Sequence, residues 1–387
     1  MNTGGARINA SVEEIAARAQ ALTGIQISDQ DAFEPLRILH HSLNEDSDLH
    51  PEGAKALESR LVRIMSNRLR MQRDYARHPE IAQQKIVAPI FVCGSGRTGS
   101  TQTQKLLAAS GDFNWLPYWQ VLNPSLFTGL RTESTQPRID QTEAFARWFD
   151  AASPEVKYAH AMETHEPEED SALLEHSLRS PVWMGWCPLS GYLSWVMTQD
   201  MTAQFRYLRD SLKYLQWQGL ADPSKRWLLK GPLYMGLEAA LLSVFPDASL
   251  VVTHRHPAAS VPSGIRLVQL FYKPYTHRQI DAEAFTASQV GIMKAHLHNR
   301  AAIPASQLID VGFQELIGDL QAVIEKIYER SGARLTAPSL KRILDWNDQN
   351  PPHKKGKHVY RLEDYGLSER RIDSLFGDYI RFLKENF

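Results

Sequence analysis

A short apolar run that ends in a glycine-rich loop constrains this chain more than any other feature. Residues 86–93 read as a buried strand that begins late, because Pro89 cannot donate to a sheet ladder. Gly94-Ser95-Gly96-Arg97-Thr98-Gly99-Ser100-Thr101 follows at once, and a helical pattern runs on to about Ser110. A loop between a strand and a helix collects backbone N–H groups and the positive end of the helix dipole at one place, which is an anion site. An α/β core with a phosphate-bearing ligand at the end of this strand is the expectation.

Downstream the pattern alternates. Residues 226–230, 249–253 and 307–311 read as strands, and residues 234–245, 284–300 and 318–329 as helices. Strands separated by helical crossovers run parallel, so the fold expected is α/β, a central parallel sheet flanked by helices. The first part of the chain reads as all helical. Ser11 and Glu14 have capping-box spacing, Gly24 is a C-cap candidate, and Leu57, Leu61, Ile64, Met65 and Leu69 recur at helical intervals within residues 52–75. Residues 131–140 read as a polar loop, and residues 145–214 as mostly helical. The organisation expected is a helical N-terminal region, 1–85, and an α/β domain, 86–387, with a helical insertion at about 131–218.

Charge narrows the partners. Lys and Arg number 43 against 44 Asp and Glu, so no basic excess draws the chain to nucleic acid or an anionic membrane. Any anionic ligand must be held by a few placed groups. Cys93 and Cys187 permit at most one disulfide, no run approaches the length of a membrane span, and the N-terminus has no continuous apolar stretch. A cytoplasmic protein with no membrane span is expected; the pattern carries no signal of oligomeric state.

The loop admits three readings. Gly94, Gly96 and Gly99 satisfy G-x-G-x-x-G, but a dinucleotide site also wants an acid-tipped second strand about twenty residues on. Residues 114–120 hold Pro117 and no acid there. The triphosphatase pattern wants a lysine where Ser100 stands, so the β/γ-phosphate clamp is missing. In the third reading a basic side chain, Arg97, sits inside the loop and is followed by Thr98, Gly99, Ser100 and Thr101.

That third pattern resembles the phosphosulfate-binding loop of sulfotransferases that use 3′-phosphoadenosine 5′-phosphosulfate (PAPS). The resemblance implies that Gly94, Ser95, Gly96, Arg97, Thr98, Gly99, Ser100 and Thr101 hold the 5′-phosphosulfate. It also implies a second motif, in which a strand-end arginine and a serine about eight residues later share the 3′-phosphate. Arg255 and Ser263 have that form, and a guanidinium offers a charge-assisted fork to phosphate. Further stretches, including residues 228–232, 245–248 and 360–366, are similar to the bacterial branch of the family, so the resemblance covers nearly the whole chain. It implies a P-loop-like sulfotransferase architecture, with Lys230 aimed at the sulfuryl group and a basic loop, 353–358 with Lys354 and Lys355, closing over the nucleotide.

The activity implied is transfer of a sulfuryl group from PAPS to a hydroxyl, or secondarily an amine, of a small and partly apolar acceptor held by the helical insertion. Arg97 and Lys230 would supply cations to the leaving phosphate, with no metal. The base is less obvious, because Gln120 stands where relatives often carry Glu and Tyr234 where they often carry His. Glu169 and then His160 are the favoured candidates, ahead of Glu163 and His165; residues 168–170 read equally as acids drawn to a helix N-terminus. Gln120 and Tyr234 keep open a nucleotide-binding protein of this fold without turnover, and a nucleotide kinase is a further alternative that Ser100 disfavours. The pairs His254/His256 and His296/His298 do not share a helix face and have no Cys or acid framework in the sequence, so no metal site is expected. Trp183, Trp186 and Trp195 read first as core and second as the wall of an apolar acceptor pocket.

Overall fold

A computed structural model describes residues 5–26, 30–351 and 360–387. Four parallel strands form its sheet in the order β2-β1-β3-β4. They are β1 (Ile90–Cys93), β2 (Leu228–Lys230), β3 (Ser249–His254) and β4 (Leu308–Gly312). Pro89 stays outside β1 and contributes only its carbonyl, which accepts from Ser249 N at 3.0 Å. Helices cover both faces, so the strands are apolar almost throughout. Ile90, Val92, Val251, Ile309 and Val311 share one core with the helices Ser100–Ala109 and Leu320–Ser331. Phe91, Cys93, Leu229, Leu250 and Val252 point the other way, toward Thr202–Trp217 and Glu238–Val244.

The N-terminal helices form as their local signals require. Ser11 N donates to Glu14 Oε2 at 2.7 Å and Glu14 N to Ser11 Oγ at 3.1 Å, and Gly24 ends the helix Val12–Thr23. The long helix Pro51–Arg77 then packs against the insertion, and Leu57, Leu61, Ile64 and Met65 share a core with Phe149, Trp183 and Tyr192. Both cysteines are buried and free. Among the described residues no helix is long and apolar enough to cross a membrane.

Three stretches differ from expectation. Residues 131–140 are not all loop: the helix Gln136–Ala152 starts there, with Pro137 in its first turn, where a missing N–H costs nothing. Residues 145–214 are broken into short pieces, among them Val156–Ala159, Ser171–His176 and Ser190–Val196. Pro154, Pro167, Pro181 and Pro188 interrupt what side-chain periodicity alone would continue. Residues 234–245 form a 3-10 turn, Pro232–Tyr234, and then a helix, Glu238–Val244, because Gly236 takes a φ of 89° between them. Parallel pairing places the carboxyl ends of β1, β2 and β3 at one edge of the sheet, which is where ligands bind in open α/β folds.

Candidate active site

The loop after β1 is shaped by backbone that side chains rarely permit. Gly94 has a φ of 154°, and a Cβ there would lie 2.4 Å from Thr253 Oγ1. Arg97 has a φ of 71°, and Gly99, with a φ of 101°, caps the helix Ser100–Ala109. Backbone of this kind curls N–H groups around an anion. Thr98 contributes its side chain to the loop itself: the hydroxyl donates to Ser95 O at 2.7 Å and meets Thr253 Oγ1 at 2.7 Å. Ser95 Oγ donates to Gln289 Oε1 at 3.0 Å. Nothing lies within 4 Å of a Cβ placed on Gly96, and among the described residues the hydroxyls of Ser100 and Thr101 have no partner. These are the groups left for a ligand.

The two arginine motifs meet. Arg255 Nη1 donates to Arg97 O at 3.1 Å, across 158 positions, and Arg97 Nε donates to Ser263 Oγ at 3.1 Å. Arg97 Nη1 also donates to Ala159 O at 2.9 Å. Among the described residues neither guanidinium forms an ion pair. Burial lowers the pKa of both, and the charge of Arg97 lowers that of Arg255 further. Two adjacent cations without a counter-ion are a place for a multiply charged anion. Phe313, absent from the sequence reading, lies under the Arg255 guanidinium at 4.2 Å and against Gly99. Its one signal in the sequence is an aromatic residue directly after a strand.

Lys230 ends β2, and residues 167–170 are tied to it. Asp170 N donates to Lys230 O at 3.2 Å, Glu168 N to Leu116 O at 2.9 Å, and Gln104 Nε2 to Glu168 O at 3.0 Å. This places Glu169 in an ion pair with the Lys230 ammonium. His160 Nε2 stands 3.0 Å from Glu168 Oε1. For Glu169, burial alone would raise the pKa; Lys230 and His160 outweigh it and hold the carboxyl below its ordinary range. For His160, burial would lower the pKa; Glu168 outweighs it and keeps the imidazolium to higher pH. Glu169 is thus held ionised as a proton acceptor, and His160 beside it keeps its proton to higher pH than a free imidazole. Asp170 at the helix N-cap makes no side-chain capping bond, so more than the dipole gathers these acids.

Glu163 and His165 are exposed, and Glu163 faces Lys105 at 3.5 Å, away from this cluster. Gln120 is buried, and among the described residues its Oε1 has no partner. Lys354 and Lys355 lie outside the described residues. Tyr234 points beneath the site and hydrogen-bonds the fully buried Asp170, whose other oxygen has no partner among the described residues. Burial pushes Asp170 up to about 8. A carboxyl raised in the folded state contributes stability below its unfolded pKa and loses it as pH rises to the folded value. Asp170→Asn is therefore expected to raise Tm at pH 8 by several degrees and to leave it unchanged at pH 4. Equal Tm differences at both values, from thermal melts, would contradict this.

Among the described residues, two clusters have ligand atoms close enough for a metal, His160 with Glu168 and Glu169, and His254 with His296 and Asp310. The second shows what spacing hid: the fold brings an acid, Asp310 of β4, to histidines that had none in the sequence. Arg300 engages both oxygens of Asp310 at 2.8 and 3.0 Å, however, and Lys230 holds Glu169 in the first cluster. Each cluster already has its cation. Trp183 is fully buried core, whereas Trp186 stays partly exposed, 5.2 Å from Phe271, which in turn lies 5.8 Å from His160.

Fold and site together describe an α/β protein with two adjacent arginines and a glycine-rich loop at the carboxyl edge of its sheet, and a lysine–glutamate pair beside them. A model of the sulfotransferase family matches residues 89–337, more than half of the chain. The chain belongs to the sulfotransferase family. The crystal structure of sulfotransferase STF9 from Mycobacterium avium is 24% identical, with 97% of each chain covered and a TM-score of 0.83. That of sulfotransferase STF1 from Mycobacterium tuberculosis H37Rv is 26% identical over 96% of this chain and 100% of the other, with a TM-score of 0.77. No curated protein matches.

Proposed function

We propose that this protein is a PAPS-dependent sulfotransferase that sulfates a hydroxyl, or secondarily an amine, of a small and partly apolar acceptor in the cytoplasm. The observation that carries the reading is the junction of Arg97, Arg255 and Ser263, two cations without a counter-ion beside an anion-binding loop. Unclaimed hydroxyls on Ser100 and Thr101 suit the phosphosulfate, and Arg255 with Ser263 suits the 3′-phosphate. Two free, buried cysteines suit a reducing compartment.

A bound donor supplies an activated sulfuryl group. The residues of this chain orient the acceptor hydroxyl, take its proton on Glu169, and set Arg97 and Lys230 against the charge that grows as the sulfur–oxygen bond to phosphate breaks and the bond to the acceptor forms. The Glu169–Lys230 pair favours turnover over a binding protein that has lost it. Ser100, in place of a phosphate-clamping lysine, weighs against a nucleotide kinase.

Calorimetry with adenosine 3′,5′-bisphosphate (PAP) tests the reading. Wild-type protein is expected to bind it, and Arg255→Ala to weaken binding by about 100-fold, as loss of charge-assisted bonds to phosphate should. No binding, or binding that Arg255→Ala leaves unchanged, would overturn it.

A further inference from the structure

One cation near the site has no part in that reaction. Glu175 is fully engaged by Arg60, through Nε to Oε2 at 3.0 Å and Nη2 to Oε1, and by Trp186 Nε1 at 2.7 Å. Arg63, one turn further along Pro51–Arg77, donates Nη1 to Leu122 O at 3.0 Å and lies 5.9 Å from the Phe145 ring. Among the described residues it has no carboxylate partner. A carbonyl supplies a partial charge only, and an uncompensated cation among packed side chains is costly. Burial and the nearby Arg60 lower the Arg63 pKa to about 10.

An aromatic row links this cation to His160, beside the base. Arg60 lies 4.0 Å from the Trp186 ring and shares Phe145 with Arg63, Trp186 meets Phe271 at 5.2 Å, and Phe271 meets His160 at 5.8 Å. Tyr118, whose phenol feels both Glu168 and Arg63, contacts Met162 Sδ at 3.4 Å on the same path. Arg63, Phe145, Met162, Trp186, Phe271 and His160 keep partial exposure, whereas their neighbours Phe149, Trp183 and Tyr275 are 0% exposed. That contrast sets the six apart from the closed core as a partly exposed, largely apolar face, running from His160, beside Glu169, to the Arg63 guanidinium, which has no carboxylate partner among the described residues. None of the six belongs to the loop 94–101 or to the Arg255 and Ser263 motif, which leaves this face for the acceptor.

Resting on the sulfotransferase reading above, we propose that the acceptor carries a carboxylate at the end of an apolar body remote from its sulfated hydroxyl, and that Arg63 binds that carboxylate. A guanidinium fork matches a carboxylate in plane and charge. An apolar body between two polar ends is what the aromatic row would bury.

The test uses the full-length protein saturated with PAP. Its probes are 3-phenylpropanoate, 4-phenylbutanoate and 5-phenylpentanoate, each against its own carboxamide, with Kd read by ligand-observed NMR. At least one carboxylate is expected to bind about tenfold more tightly than its amide. Arg63→Met should abolish the difference and leave PAP affinity unchanged, and Arg63→Lys should retain part of it. Equal binding of acid and amide, no binding by any carboxylate, or a preference that survives Arg63→Met would overturn the proposal. The wild-type comparison needs no variant, so poor folding of Arg63→Met leaves the test intact. Failure of wild-type protein to bind PAP would instead strike at the sulfotransferase reading itself.

Discussion

Lys230→Met is expected to lower the rate of sulfuryl transfer by about 10³-fold while changing PAP affinity by less than about tenfold. Lys230 ends β2 at the ligand edge of the sheet and is only 4% exposed, so its ammonium acts where water screens little. A cation in such a place matters most as charge develops on the leaving phosphate, which separates its effect on rate from its effect on binding. The substitution also strands Glu169, because the ion pair that offsets its burial is gone. Its carboxyl should then take up a proton at higher pH than in wild type, and residual activity should shift toward alkaline pH. Single-turnover transfer from labelled donor measures both effects; a loss of less than tenfold would remove Lys230 from the chemistry.

Glu169→Gln should cost about 10² to 10⁴-fold in kcat, the range for loss of a general base. The pH profile distinguishes this from a structural defect. The Glu169 pKa is depressed in the folded protein, so its carboxylate persists through the ordinary carboxylate range and is lost only as pH falls through the lowered value. The acid limb governed by Glu169 should therefore lie below pH 4.5 in wild type and vanish in Glu169→Gln. His160, whose pKa is raised, keeps its charge above its usual range, so its titration affects the alkaline side. An amide at position 169 that kept more than about a tenth of the activity would pass the base role to Glu168 with His160.

What was legible in the sequence is what short stretches of chain determine. The strand, the loop 94–101 and its helix form one continuous segment, so residue types alone indicated an anion site there. Arg255 and Ser263 were singled out by the resemblance to sulfotransferases, and parallel topology then brings the end of β3 to the same edge as the end of β1. The capping box at Ser11 and Glu14 needed only three residues of separation.

Pairings between distant residues were not legible. Glu169 and Lys230 are 61 positions apart, and their contact depends on Pro167 bridging Pro117 and on Asp170 N donating to Lys230 O at the end of β2. Tyr234 occupies a position suited to a catalytic histidine, yet β2 is followed by a 3-10 turn that directs its hydroxyl down to Asp170. Glu168 belongs to a run of three acids; only its 3.0 Å contact with His160 tells it from its neighbours. Asp310 and Arg300 complete a half-buried network around the buried His254 that no spacing in the chain announces.

By itself, then, the amino-acid order determined the class of fold and the place of the glycine-rich loop between β1 and its helix, because propensity, periodicity and turn chemistry act over a few residues. The tertiary structure decided which acid is paired with Lys230, why Tyr234 does not enter the site, and which arginine is left without a partner. Those outcomes depend on burial and on distances of a few ångströms between segments far apart in the chain, and electrostatic interaction is strong only at that range and out of water.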